Sequence, residues 1–333
     1  MKKKHTPLIP LADVAHPAKL EQVPIRDGYG HGVVLAGVAD ERVVVLCADL
    51  TESTRSHWFA EKFPHRFFQV GIAEQNLAVI ASGMAAAGKI PFIASYATFS
   101  PGRNNEQIRT NICLNNMPVK IIGAHAGVSV GPDGATHQAL EDIALMRVLP
   151  RMVVVVPCDA IEAQKATLEL AGNDQPSYLR LSREKSPVIT VPETPFAVGI
   201  ANVLRDGKDV VIIACGTMVY EALRAAVLLE AKGIQATVIN NHTIKPLDTE
   251  TLLKAAKQCG AVVTAEEHQM AGGMGSAVAE LLAQECPVPM EFIGVHDRFG
   301  ESGTPAELME KFGLNAVNIV AATTRVLRRK KAN

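Results

Sequence analysis

At 333 residues, 48% hydrophobic and 20% charged, the chain is long enough for about two domains and too apolar to be intrinsically disordered. Its 33 Lys and Arg balance 34 Asp and Glu, a formal net charge of −1. That excludes the basic excess of a nucleic-acid-binding domain and leaves little net repulsion to oppose self-association.

Cys47, Cys113, Cys158, Cys215, Cys259 and Cys286 form no C-x-x-C pair, so zinc spacing is absent. Those beside apolar runs read as core thiols, and the set predicts a reducing, cytoplasmic setting without disulfides. Lys2, Lys3 and Lys4 precede Pro7 and Pro10, which makes a poor signal peptide. The longest apolar stretch, residues 77–88, contains Ser82 and is far short of a membrane span.

Helical and strand-like patterns alternate along the chain. Helices are predicted over 27–39, 74–87, 103–115, 138–148 and 159–172, the last opened by Asp159 as N-cap. Strands are predicted over 43–47, 119–123, 152–156 and 178–181. Short continuous apolar runs suit a mostly parallel sheet buried on both faces, and the alternation an α/β layered domain. Residues 184–198, with Pro187, Pro192 and Pro195, break the pattern. A second α/β alternation follows, with strands over 209–214, 235–239 and 261–265 and helices over 217–232, 248–258, 273–285, 304–311 and 315–329. The expected division is an arm at 1–20, a first domain at 21–188, a linker at 189–198 and a second domain at 199–333. Arg328, Arg329, Lys330 and Lys331 read as a solvated tail.

Four polar segments stand out. After Val70, Gly71 permits a tight turn and Glu74 opens an Ala-rich helix, where a carboxylate also suits the helix dipole for purely structural reasons. The loop from His125 to Gln138 follows a strand, and ligands of α/β sheets bind at such ends; its polar residues can equally satisfy its own backbone. Asp49-Leu50-Thr51-Glu52-Ser53 also follows a strand, and Thr51 or Ser53 can cap the next helix. Arg183 suits a bidentate anion clamp or a surface ion pair. Gly272-Gly273-Met274-Gly275 lacks phosphate-loop spacing and reads as close helix packing. Glu266-Glu267-His268 reads as loop or interface.

Taken in order, Arg26, Asp49-Leu50-Thr51 with Ser53, Gly71-Ile72-Ala73-Glu74, Thr98-Phe99, His125 with Asp133-Gly134 and Thr136-His137-Gln138, and Leu181-Ser182-Arg183 resemble the C-terminal half of transketolase. Residues 21–188 would be its thiamine diphosphate pyrimidine-binding domain. Residues 199–333, with Ile244-Lys245-Pro246-Leu247-Asp248, resemble its C-terminal domain. The Gly-Asp-Gly that marks the family's diphosphate-binding domain does not occur. The chain therefore resembles one subunit of a split transketolase, with an N-terminal partner subunit supplying the diphosphate and Mg²⁺ site in an α2β2 complex.

The resemblance implies residue roles. The equivalent of Glu74 donates a hydrogen bond to N1′ of the thiamine pyrimidine and is partly desolvated. Phe99 stacks on that ring, with Asp49 and Arg103 beside the cofactor. His137 exchanges protons with the donor sugar, and Asp133 binds the hydroxyl next to the reacting carbonyl. Arg26, Ser53, His125 and Arg183 hold the sugar phosphate. The reaction moves a two-carbon ketol unit from a ketose phosphate to an aldose. Arg103, where full-length transketolases carry further aromatics, is more like deoxyxylulose-phosphate synthase or split forms. That leaves open a synthase-like subunit, an α-keto acid dehydrogenase β subunit, a ketol transferase for an unusual sugar, or a non-catalytic regulatory subunit.

Overall fold

The computed structural model describes residues 9–14 and 16–332. Lys2 to Lys4 and Pro7, on which the signal-peptide reading rests, lie outside the described residues. In chain order the first half comprises β1 (Gln22–Pro24), α1 (Ile25–Ala39), β2 (Val43–Cys47), α2 (His57–Lys62), β3 (Phe67–Gln69), α3 (Glu74–Ala86), β4 (Ile90–Tyr96), α4 (Asn105–Gln107), β5 (Lys120–Ala124), α5 (Asp142–Arg147), β6 (Val153–Val155), α6 (Ala160–Ala171), β7 (Ser177–Arg180) and β8 (Lys185–Pro187). The second half comprises β9 (Asn202–Arg205), β10 (Val210–Ala214), α7 (Met218–Glu230), β11 (Ala236–Asn240), β12 (Thr243–Lys245), α8 (Thr249–Cys259), β13 (Val262–Gln269), α9 (Met274–Glu285), β14 (Met290–Val295), α10 (Pro305–Lys311) and α11 (Ala316–Ala332). This is the two-part α/β architecture that the alternating patterns predict.

A seven-stranded sheet runs β12-β6-β7-β5-β4-β2-β3, parallel except for β12 at its edge. A five-stranded sheet runs β14-β13-β10-β11-β9, parallel except for β9. The run of apolar residues in β2 is explained by burial on both faces. Val43, Val45 and Cys47 pack beneath α1 with Tyr29 and Phe59, while Val44 and Leu46 face the opposite core. That second core continues through Val154, Val156 and Ile244 to Val211 and Ile213 of the five-stranded sheet, so no apolar gap separates the sheets. The cysteines are free, and Cys286 alone among them is not buried. No helix among the described residues is long and apolar enough to cross a membrane.

Several expectations need correction. The segment 189–198, expected as a linker, is tied down by hydrogen bonds. Asp159, the N-cap of α6, also accepts hydrogen bonds from the Ile189 and Thr190 amides and the Thr190 hydroxyl, while Lys165 donates to the Val191 and Thr194 carbonyls. Arg328, Arg329 and Lys331 are exposed as expected, yet they do not form a tail: the segment ends α11, where Arg329 reaches Glu291 and Lys330 donates to the Asp209 and Cys259 carbonyls. Neither Thr51 nor Ser53 caps a helix, because α2 begins only at His57. The expected helix at 103–115 becomes α4 followed by a π-helical stretch over Ile108–Leu114, and the helix expected from 138 starts at Asp142.

Asp159 is fully buried and serves four donors at once. Asp159→Ala is expected to cost about 3 kcal/mol, summing a lost cap and buried amides left unpaired. Urea unfolding measures the loss, and limited proteolysis of 189–198 should accelerate with it.

Candidate active site

The loops that carry the candidate residues leave the carboxyl ends of β2, β3, β4, β5 and β7. From β2 the chain passes to β3 on one side and then to β4 on the other. That reversal of strand order leaves a crevice at the strand ends, the usual ligand position in such sheets.

Glu74 is the first residue of α3 and is 1% exposed. Its Oε2 accepts a 2.7 Å hydrogen bond from Arg103, whose guanidinium lies 4.9 Å from the centre of the Phe99 ring. Asn104 donates to the Glu74 carbonyl and to the Ser100 hydroxyl, which fixes the turn holding Phe99 and Arg103 against α3. An open cleft of about 520 Å³ is lined by Ile72, Glu74, Asn76, Val79, Arg103 and Gln107. Beyond Phe99 the aromatic wall continues. His137 meets Phe99 edge-on at 5.4 Å, and Tyr96 stacks on His125 at 3.9 Å.

At the far end of that wall Arg26 donates to the Ser53 carbonyl at 2.8 Å and to His125 Nε2 at 3.1 Å. A guanidinium can only donate, so Nε2 is the unprotonated nitrogen and Nδ1 carries the hydrogen. Burial, followed by the nearby Arg26, Arg183 and Arg55, pushes the His125 pKa down to about 2, and the ring is neutral at working pH. His125 Nδ1 and Arg26 Nε are both buried without a partner. Both nitrogens are donors whose acceptor the protein does not itself supply. Arg183 bonds the Val130 carbonyl at 2.7 Å and lies 3.6 Å from Asp133. Arg55 is paired with Asp27 at 2.6 Å.

The structure thus brings together Glu74, Phe99, Arg103 and His137, and separately Arg26, Ser53 and His125, with Asp133 beside Arg183. Ser53 meets Arg26 through its carbonyl. Asp49 is exposed, has a positive φ of 57°, and is held through its amide by Gln69. It makes no contact with the Glu74–Arg103 pair. The His125–Gln138 loop does satisfy part of its own backbone, since Gln138 donates to the Val128 and Gly131 carbonyls. Tyr96 is not among the residues the sequence singles out. Its signal is an aromatic ending a strand that Pro91 disguises. Glu266-Glu267-His268 is not a loop but the buried end of β13. Glu266 accepts from the Met274 and Gly275 amides, so a carboxylate of the chain fills the N-terminus of α9, where a phosphate could otherwise sit.

Residues 21–188 match the family model for the transketolase pyrimidine-binding domain, and residues 199–319 the model for the transketolase C-terminal domain. The chain is 41% identical over 312 residues to the 6-deoxy-6-sulfo-D-fructose transketolase subunit SqwH of Clostridium sp. strain MSTE9, covering 94% of this chain and 97% of that one. It is 38% identical over 281 residues to an apulose-4-phosphate transketolase subunit of Phocaeicola vulgatus, covering 84% and 90% respectively. A solved structure described as a split gene transketolase, inactive beta4 tetramer, superposes with a TM-score of 0.87 at 47% identity, covering 92% of this chain and 99% of that one.

The buried His125 has a pKa lowered from 6.5 to about 2. Its contribution to stability is therefore whole above pH about 6.5 and is lost progressively as pH falls toward 2, where the unfolded chain takes up a proton the folded one refuses. Between pH 7 and pH 5 the His125→Gln variant should lose about 2 kcal/mol less than the parent. Denaturant titrations at the two pH values measure this, and equal losses would contradict the buried neutral ring.

Proposed function

The chain belongs to the transketolase family and matches the C-terminal subunits of its split forms along almost its whole length, and on that premise we propose that it forms the pyrimidine side and the sugar-binding wall of a two-chain ketol transferase. The observation that carries this reading is the buried Glu74 carboxylate at the start of α3, open to a cleft and within one guanidinium of the Phe99 ring. These residues fit a thiamine pyrimidine: a carboxyl for N1′, an aromatic face for the ring, and a concave wall beside the carboxyl. Thiamine diphosphate supplies the carbanion chemistry when bound. Glu74 would hold the proton shared with N1′, Phe99 would stack on the ring, and Arg103 and Asp49 would flank it.

His137 has its Nδ1 engaged by the Thr136 hydroxyl at 2.9 Å, and we assign its Nε2 to proton exchange with the donor sugar. Asp133 would bind the hydroxyl beside the reacting carbonyl. Arg26, Ser53, His125 and Arg183 would hold the anionic end of the sugar, a role supported by the unpartnered donors on Arg26 and His125. Because His125 is neutral, the charge there comes from guanidinium groups, which serve phosphate and sulfonate alike.

The N-terminal partner subunit would hold the diphosphate through Mg²⁺. For self-association, the exposed side of α3 offers Val79, 42% exposed, with Ile72, 74% exposed, in the turn just before the helix, and Gly83, around whose added Cβ nothing lies within 4 Å. An exposed mid-helix glycine costs about 1 kcal/mol relative to alanine, and close approach by α3 of a second copy accounts for it. The free thiols suit a cytoplasmic enzyme acting on sugar phosphates, the pentose phosphates among them.

Co-expression with the partner subunit, followed by assay with thiamine diphosphate and Mg²⁺, is the direct test. Ketol transfer from xylulose 5-phosphate to ribose 5-phosphate, or from fructose bearing a 6-phosphate or 6-sulfonate, is expected from the complex and not from this chain alone. Glu74→Ala should lower kcat at least a hundredfold with any accepted donor. Condensation of pyruvate with glyceraldehyde 3-phosphate in place of ketol transfer would move the assignment to deoxyxylulose-phosphate chemistry, and full activity of Glu74→Ala would indicate a non-catalytic chain. Gly83→Leu is expected to raise the melting temperature of the isolated chain while abolishing its self-association in light scattering.

A further inference from the structure

The five-stranded sheet supplies none of the side chains assigned above to cofactor or sugar, yet one of its carboxylates is built into the substrate loop. Glu267, on β13, is 3% exposed. Its Oε1 accepts the Ser129 amide at 2.7 Å, and its Oε2 accepts the Thr217 hydroxyl at 3.1 Å. The loop crosses directly over this carboxylate. Gly127 sits there with a φ of 92°, and a Cβ on it would collide with Glu267 Oε1. Glycine at 127 thus leaves room for a glutamate 140 positions later in the chain.

The same segment is pinned at its other points. The Gln138 amide donates to the Val128 and Gly131 carbonyls within the loop and to the Glu301 carbonyl of the second domain at 2.9 Å. The Gln269 amide donates to the Leu140 carbonyl at 2.8 Å. The next residue after Ser129 is Val130, whose carbonyl receives Arg183, and Arg183 in turn lies 3.6 Å from Asp133. A chain of direct contacts therefore runs from Glu267 through the Ser129–Val130 backbone to the arginine and aspartate of the sugar wall.

We infer that Glu267 is a positioning residue, by which the second domain sets the shape of the 127–133 turn and so the placement of Arg183 and Asp133 against the anionic ketose donor. This rests on the ketol-transfer reading for its substrate, but not for its geometry. Burying a carboxyl group away from water is costly unless donors meet it, and here the Ser129 amide and the Thr217 hydroxyl do. The pyrimidine side, built on α3 and the turn after β4, stands outside this contact chain.

The test uses the complex with its partner subunit. In Glu267→Ala the KM for the ketose donor should rise about tenfold, while kcat changes less than threefold and the affinity for thiamine diphosphate, by calorimetry, stays within twofold. Glu267→Gln can still accept from Ser129 and should restore the parent KM to within threefold. Hydrogen exchange provides a readout that needs no turnover: peptides covering 126–133 should exchange at least tenfold faster in Glu267→Ala than in the parent or Glu267→Gln, with peptides of α3 unchanged. An unchanged donor KM together with unchanged exchange would overturn the inference. So would a loss of cofactor affinity equal to the loss in donor binding, which would mark a merely structural carboxylate. If the parent complex transfers no ketol unit at all, the functional reading fails, and the exchange comparison still decides whether Glu267 shapes the turn.

Discussion

Arg180 closes β7 at the point where the two sheets and the 125–139 loop meet, and its buried ion pair with Asp142 is the interaction that orders the rest. The side chains are 6% and 1% exposed and 2.7 Å apart. Tyr178 donates to the same Asp142 oxygen, and the other arm of Arg180 donates to the Ala139 and Glu267 carbonyls. Such a pair adds little net stability, since desolvation offsets attraction, but losing one partner strands a buried charge and costs about 3–5 kcal/mol. Its worth here is positional. One guanidinium holds the foot of the 125–139 loop, the start of α5 and the end of β13 in a single arrangement, and alternatives that separate them leave that charge uncompensated.

Above that anchor lie a row of aromatic rings and a set of arginines. The row is Phe99, His137, Tyr96 and the neutral His125, whose rings touch in sequence. Among the arginines, Arg55 and Arg183 already have carboxylates close by, and Arg26 keeps one buried nitrogen without an acceptor. The pair Glu74 and Arg103 differs from these. Arg103 is half exposed while Glu74 is buried, so the carboxylate is enclosed by the fold and its partner is open to solvent.

Much of this is legible in the sequence because local pattern and environment agree. The runs at β2, β5, β6 and β7 read as strands since both their faces are buried, and Asp159 reads as a cap because capping is a local event. What escapes depends on distant partners. β4 is a central strand, yet Pro91 and the small residues around it weaken its pattern. β12 is three residues long and acquires its meaning from Val153–Val155. Glu266 and Glu267 look like loop residues because polar triplets usually are, and the Ser129 amide that satisfies Glu267 comes from a segment more than a hundred positions earlier. Lys330 looks solvated for the same reason, since the carbonyls it meets belong to other parts of the chain. The candidate residues stand out by their order along the chain, while the side chain of Arg26 taken alone reads equally as an anion-binding group or a surface ion pair.

The short strand β12 has a mechanical meaning. It leaves the five-stranded sheet, lies antiparallel against β6 as the edge of the other sheet, and plants Lys245 on the Arg147 and Leu149 carbonyls. Two bodies joined by one tether can swing like a jaw. These two are joined by a tether, a shared sheet edge and a continuous core, so bending between them would tear a ladder and expose apolar surface. The two sheets are therefore held as one body, and the freedom left near the Glu74 cleft is that of exposed side chains such as Arg103.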